Sequence, residues 1–393
     1  MSESTRPLRH VALFCHSLDR RAIARLCSTL CAEIAARIPR VSLVVVKRDP
    51  EASDPAGTDV VVLGAAIDRS AFAVPRLAGW LRRERPDVVF SQHNGPNRAA
   101  VTARELARVG TGIVTVEQNH YSTYVSPKGG RYSHLRIRDM ATGWLYPRAD
   151  RVAGVCPDVV EDLEERFPGV RGRTTVLPNP GPDPAGLERR LEGDPAHPWF
   201  DRTDGNAARV ICSVANVIPR KGQDVLIEAL PRIRRRCGEV RLLLVGRLDN
   251  AEYVDSLRAR ADELAVRECV SFAGYRDDPL PIVAASDVFA LASRNEGMPL
   301  VLLEALACAT PVVATACHSG PAYILEEGRA GRLVELDDPV AMAEAIGDVL
   351  EDPSLRRRLV RRGSERTRRF VPSRVASDYL EVAQEVRAAT STV

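Results

Sequence analysis

Short β-branched runs alternate with helical patterns along almost the whole chain, and this alternation limits the fold more than any other feature. Runs at 11–15, 41–46, 60–63, 88–91 and 112–116 are separated by helical patterns such as 22–37 and 99–108. Strands that each hand over to a helix before the next strand form a parallel sheet covered by helices on both faces. A further unit, with strands at 151–155 and 174–177 around a helix at 159–166, ends at Pro178-Asn179-Pro180. The alternation resumes at 209–214 and continues through 240–245, 270–272, 288–291 and 311–314. A chain of 393 residues exceeds what one hydrophobic core organises. The reading is therefore an α/β protein of two Rossmann-like doubly wound lobes. The N-terminal lobe covers 1–180 and the C-terminal lobe 207–370. A linker at 181–206 contains GDPAHPWFDRTDG, and a last helical segment at 371–393 is expected to pack back on the N-terminal lobe. Ligands of open α/β sheets bind beyond the carboxyl ends of the strands, so two such lobes facing across a cleft would share one site.

Charge and composition exclude several classes. A formal charge of +3 with only 5% aromatic residues offers neither the basic field nor the stacking platforms of a nucleic-acid binder. Nine cysteines lie scattered without a CxxC pair and read as reduced. Cys27 and Cys31 are one helical turn apart but lack nearby Cys or His partners in sequence, so no metal is expected. The amino-terminal apolar run is broken by His16 and Asp19, and no eighteen-residue apolar stretch occurs elsewhere. The expected location is the cytoplasm, free or peripheral on the inner face of the membrane. The arginine-rich stretch 356–370 reads as a solvated helical face, with attraction to an anionic membrane surface as the alternative.

The richest chemistry lies at 284–334. An apolar run at 287–292 suits a buried parallel strand, polar Ser293 to Glu296 follow, and Gly297-Met298-Pro299 open a Leu/Ala-rich helix. A helix start presents unpaired N–H groups and partial positive charge, so Gly297, Met298, Pro299 and Leu300 can receive a diphosphate. Glu296 at the loop mouth can accept bonds from sugar hydroxyls. Glu304, eight residues on, either reaches a ribose diol or is simply a solvated helix residue. Earlier, SVANVIPRKGQDVLIEAL places Lys221-Gly222 between a strand and a helix. Its ammonium is a compact charge suited to neutralising a leaving diphosphate.

In this setting SRNEGMPL, EALACATPVV and SGPAYIL closely resemble the donor-binding core of retaining glycosyltransferase family 4, whose members have the GT-B fold. The resemblance is specific from Ser213 to Leu333 and general elsewhere. It implies a metal-independent hexosyltransferase with no cofactor beyond its co-substrate, a nucleoside diphosphate sugar, with UDP the expected nucleotide. The acceptor would be a glycan or lipid-linked saccharide, as in polysaccharide biosynthesis. Lys221 and Glu296 would be catalytic, and Glu304 would bind the ribose. CVSFAGY resembles the loop that pairs with the nucleobase, leaving Tyr275 or Arg276 to cover the base. The usual Gly-Arg pair is replaced by Ala215-Asn216, so Arg220 is the candidate second cation beside a hydrogen-bonding Asn216.

On the acceptor side, His93 ends one strand and Glu117-Gln118-Asn119-His120 ends another, similar to the family's histidine and Glu-His-Asn-like groups. The order here is EQNH where the family has EHN, a displacement of the histidine by two positions; His120 is the catalytic candidate, and His93, Gln118 and Asn119 are acceptor-binding candidates. The family's Gly-Gly turn is replaced by Ser17 to Arg21, whose Arg20 and Arg21 are candidates for an acceptor diphosphate. Two rival readings are a non-catalytic sugar-nucleotide-binding partner and a nucleotide-sugar epimerase on the same fold. Nicotinamide chemistry is disfavoured, because no G-x-G-x-x-G follows the first strand.

Overall fold

The structure, a computed structural model, describes residues 7–19, 22–125, 133–201 and 208–390. The chain divides into two compact units, one of residues 1–180 with 372–393 and one of 181–371.

In chain order the first unit contains β1 (His10–Leu18), α1 (Ala22–Ala35), β2 (Arg40–Arg48), β3 (Asp59–Val62), α2 (Val74–Glu84), β4 (Val88–Gln92) and α3 (Asn94–Ala107). It continues through β5 (Gly112–Glu117), α4 (Tyr121–Val125), α5 (Ser133–Leu145), β6 (Arg151–Gly154), α6 (Pro157–Arg166) and β7 (Thr174–Val176). The seven strands lie in the order β3-β2-β1-β4-β5-β6-β7, and their pairings are parallel. Central strands of such a sheet are covered on both faces. Phe14 of β1 and Phe90 of β4 are accordingly fully buried.

The second unit contains α7 (Pro184–Leu191), β8 (Arg209–Val214), α8 (Gln223–Cys237), β9 (Val240–Val245), α9 (Ala251–Glu263), β10 (Val270–Gly274), α10 (Leu280–Ala285) and β11 (Val288–Leu291). After these come α11 (Leu300–Ala307), β12 (Val312–Thr315), α12 (Gly320–Ile324), β13 (Arg332–Val334), α13 (Pro339–Glu351) and α14 (Pro353–Thr367). Its six-stranded sheet has the order β10-β9-β8-β11-β12-β13. Both sheets reverse direction once, between β1 and β4 and between β8 and β11. In a doubly wound sheet such a reversal opens a crevice at the carboxyl ends of the two strands.

The stretch 181–201, turn-rich in sequence, is folded into the second unit. Asp183 caps α7 by accepting from the Ala185 and Gly186 amides, and Arg190 grips Asp278 with two bonds of 2.8 and 2.7 Å. The entry and exit of this unit are joined, because the Gly181 amide donates to the Phe370 carbonyl at 2.7 Å.

The final helix, α15 (Pro372–Thr390), belongs to the first unit and packs on α1, β4 and β5. Tyr379 is buried against Phe90 with ring centroids 4.9 Å apart. Val386 presses on Gly112 so closely that a Cβ there would lie 2.3 Å from its methyl carbon. Asp87 fastens both ends of this contact. It accepts from the His10 amide at 2.9 Å and pairs with Arg387 at 2.7 Å.

Candidate active site

In the second unit, the reversal between β8 and β11 brings two loops together. The loop after β8 makes a turn at Pro219–Lys221 and ends at Gly222, whose φ is 65°. A Cβ on Gly222 would stand 2.0 Å from the Ala292 carbonyl oxygen, so the loops meet where a side chain cannot fit. Arg220 ties them further, its guanidinium donating to the Asn295 carbonyl at 2.8 Å and its own carbonyl accepting the Arg294 amide at 2.9 Å.

Lys221 Nζ donates to Glu296 Oε1, and Ser293 Oγ donates to the same oxygen at 2.7 Å. The two charged side chains are only 15% and 8% exposed, so their attraction is little screened by water. A third loop holds the backbone on either side of the Glu296–Gly297 junction. Ser319 Oγ donates to the Glu296 carbonyl at 2.6 Å, and the Gly320 amide donates to the Gly297 carbonyl at 2.6 Å. Ser319 holds a φ of 83°, a costly conformation for a non-glycine residue and one found where surrounding contacts over-determine the backbone. A Cβ on Gly320 would lie 2.1 Å from the Gly297 oxygen. Met298 and Pro299 are buried, Leu300 begins α11, and Glu304 lies within it at 9% exposure. Glu304 is among the negative charges that, after the Asp278 bond, raise the Arg190 guanidinium above its ordinary range.

Asn216 is exposed and its carbonyl accepts Gln223 Nε2 at 3.0 Å. The adjoining Ala215 carbonyl is approached by Gly246, where a Cβ would come within 1.9 Å. Tyr275 is exposed, and the Arg247 guanidinium carbon lies 4.9 Å from its ring centroid. Arg276 follows it with a buried Nε that has no hydrogen-bond partner among the described residues. Ser293, Ser319, Gly246, Gly320 and Arg247 were not singled out by sequence reasoning. A serine three residues before Glu296 and the Ser-Gly pair after β12 were the available signals.

In the first unit, His93 follows β4 and opens α3 with φ 75°. Its amide donates to the Val116 carbonyl at 3.0 Å, and its Nε2 lies 3.2 Å from Asn119 Nδ2. Burial, aided by the charges of Arg98 and His16, pushes its pKa down to about 4. The ring is neutral near pH 7 and accepts from the asparagine amide. His120 Nδ1 lies 2.8 Å from Thr123 Oγ1 and 3.6 Å from the buried Asp162 carboxylate, contacts that fix the ring's orientation. Gln118 is nearly buried and holds the strand ends together, donating to Gln92 Oε1 at 2.8 Å and accepting from Asn179 at 2.9 Å. Glu117, whose role sequence reasoning did not assign, is buried and accepts from Tyr146 Oη at 2.7 Å. Burial raises its pKa to about 7. Arg20 and Arg21 lie outside the described residues. Among the described residues, no group of three His, Cys, Asp or Glu is placed to hold a metal ion.

Two Rossmann-like parallel sheets, with the paired lysine and glutamate at the reversal of the second, define a chain of the GT-B class. Residues 21–180 match the model of a glycosyl transferase 4-like domain, and residues 208–352 match that of glycosyl transferases group 1. The chain belongs to glycosyltransferase family 4. It is 39% identical over 158 residues to the lipopolysaccharide core biosynthesis glycosyltransferase LpsE of Rhizobium meliloti, covering 40% of this chain and 44% of that one. It is also 39% identical over 158 residues to a GDP-mannose-dependent alpha-(1-6)-phosphatidylinositol monomannoside mannosyltransferase of Mycolicibacterium smegmatis, covering 38% and 40%. The chain thus spans less than half the length of either relative. The crystal structure of Anabaena Alr3699/HepE in complex with UDP has the same fold, with a TM-score of 0.73 and 20% identity over 96% of this chain and 100% of that one.

Proposed function

We propose that this protein is a retaining, metal-independent glycosyltransferase. It moves a hexosyl unit from a nucleoside diphosphate sugar, UDP-linked in the first instance, to a glycan or lipid-linked saccharide. The observation that carries the proposal is the Lys221 and Glu296 pair beside the start of α11, at the sheet reversal of the second unit.

Lys221, Arg220 and the amides at Gly297 to Leu300 would hold the diphosphate, with Lys221 exchanging its carboxylate partner for a phosphate oxygen. Negative charge grows on that oxygen as the glycosidic bond breaks, so a fixed cation there lowers the barrier. Glu296 would orient the sugar and Glu304 the ribose, while Tyr275 and Arg276 cover the base and Asn216 supplies a neutral donor. In the first unit, His120 would act on the sugar or acceptor hydroxyl, and His93, Asn119, Gln118, Arg20 and Arg21 belong to the acceptor side. Attack from the face of the departing phosphate, with a phosphate oxygen taking the acceptor proton, needs no protein nucleophile and retains configuration. The UDP complex of HepE favours UDP, and the name of the mycobacterial relative makes GDP the competing nucleotide. A lipid-linked acceptor implies a peripheral position at the cytoplasmic face of a membrane.

The test is a thermal-shift screen of UDP-, GDP- and ADP-sugars, followed by transfer of radiolabelled donor to a membrane extract with and without chelator. A ligand at a hundredfold its dissociation constant adds about 2.7 kcal/mol of stability. Transfer with retained anomeric configuration, strongly reduced in Lys221→Ala, is the expected result. Binding without transfer would mark a non-catalytic binder, and isomerised sugar without acceptor an epimerase.

A further inference from the structure

Nine large apolar side chains are exposed among the described residues, and three of them, Ile137, Met140 and Trp144, lie on α5. Their spacing of three and four residues places them on one face of the helix. They are 66%, 75% and 59% exposed, whereas Thr142 and Leu145 are buried. Thr142 joins the helix to its own unit, accepting from Arg98 at 3.1 Å and from Tyr121 Oη at 3.1 Å.

Among the described side chains, the exposed charged ones of α5 and of the turn after it are arginines. Arg138 within α5 and Arg148 just after it are exposed. The Arg148 guanidinium carbon stacks 3.7 Å from the Trp144 ring centroid. The one acidic residue of α5, Asp139, is paired with Arg166. Arg171 and Arg173 on the neighbouring loop are exposed as well. An apolar face carrying an indole and rimmed by arginines suits the boundary between acyl chains and anionic headgroups.

The arginine-rich α14 lacks that combination. Its Leu355 and Leu359 are buried, while Arg356, Arg362 and Arg366 pair with Asp287, Glu365 and Glu326. Among the described residues, no helix is long and apolar enough to cross a membrane.

We propose that the exposed face of α5 is a docking surface for an anionic phospholipid bilayer, with Ile137, Met140 and Trp144 inserted between headgroups and Arg138 and Arg148 against their phosphates. This deepens the lipid-linked acceptor reading. The assay contains neither sugar nucleotide nor acceptor, so its outcome is separate from that of the transferase assignment.

The experiment is sedimentation of the full chain with vesicles of phosphatidylcholine alone or of phosphatidylcholine and phosphatidylglycerol in equal parts, with tryptophan fluorescence read in parallel. Of the three tryptophans, Trp80 is buried and Trp199 half-buried, so Trp144 is the reporter of contact. We expect at least about tenfold stronger partitioning into anionic vesicles, a blue shift, and loss of both in the triple variant Ile137→Ser, Met140→Ser, Trp144→Ser. Trp144→Phe should abolish the shift and retain binding, which keeps the test decisive if the triple variant folds poorly. Undiminished binding by a folded triple variant would overturn the proposal. So would a wild-type chain that ignores anionic vesicles, or binding lost only on neutralising Arg357, Arg358 and Arg361. A triple variant that changes oligomeric state, from a parent that never binds vesicles, would assign the face to a second copy of the chain.

Discussion

Lys221 and Glu296, 75 residues apart in sequence, form one shielded ion pair whose acceptor oxygen also takes the Ser293 hydroxyl. Removing either partner strands a charge. We expect Lys221→Ala to lower transfer by about 10²–10³-fold and to destabilise the chain by about 3 kcal/mol. The double variant Lys221→Ala, Glu296→Gln should regain part of that stability and none of the activity. Urea unfolding and initial rates on the four corners of the cycle decide this; additive stability losses would contradict the coupling.

Gly222 is the point where the two loops touch, and its φ of 65° adds to the 2.0 Å approach to the Ala292 oxygen. Gly222→Ala should cost about 3 kcal/mol or more and remove donor binding. Gly172, with φ 76° and nothing within 4 Å of an added Cβ, is the control. Its alanine variant should cost only about 1–2 kcal/mol. Equal losses in chemical denaturation would show that the contact with Ala292 is unimportant.

Glu117 gives stability a pH dependence of definite sign. Its carboxyl titrates at 4.5 when unfolded and at about 7 in the fold. Between those values the folded chain keeps a proton that the unfolded chain has released, so stability falls as pH rises through this window. The contribution is complete below pH 4.5 and gone above about 7, and amounts to about 3 kcal/mol. Glu117→Gln retains an acceptor for Tyr146 and should flatten this part of the profile, most visibly as a gain at pH 8. Denaturation midpoints at pH 5 and pH 8 that shift equally in both proteins would refute it.

Arg387 joins α15 to the start of β1 through Asp87, with both side chains 17% exposed. Arg387→Ala should cost about 1 kcal/mol, and salt should narrow the difference from the parent. Gly112→Val, which drives a side chain into Val386, should cost several times more. Hydrogen exchange along α15 would distinguish a loosened helix from global destabilisation.

Most strands were legible because parallel strands buried on both faces leave continuous β-branched runs, as 209–214 and 240–245 do. β13 was not, since its three residues begin with an arginine and make no such run. α7 was hidden in a turn-rich stretch, although Asp183 before Pro184 is a capping signal. Lys221, Glu296 and the glycine between their loops stood out in local sequence, but their partnership depends on strand order, which no local pattern encodes. Gln118 stands out at a strand end, but its bonds to Gln92 and Asn179 join segments distant in sequence and are likewise invisible in any local pattern.

The second unit, 181–371, is an insertion in the chain of the first, and the bond between Gly181 and Phe370 holds its two ends side by side. A module with adjacent ends can be exchanged without rethreading the remainder of the chain. Chimaeras cut at these two points would move the loops of Lys221 and Glu296 as one piece and leave the strand-end residues of the first unit in place.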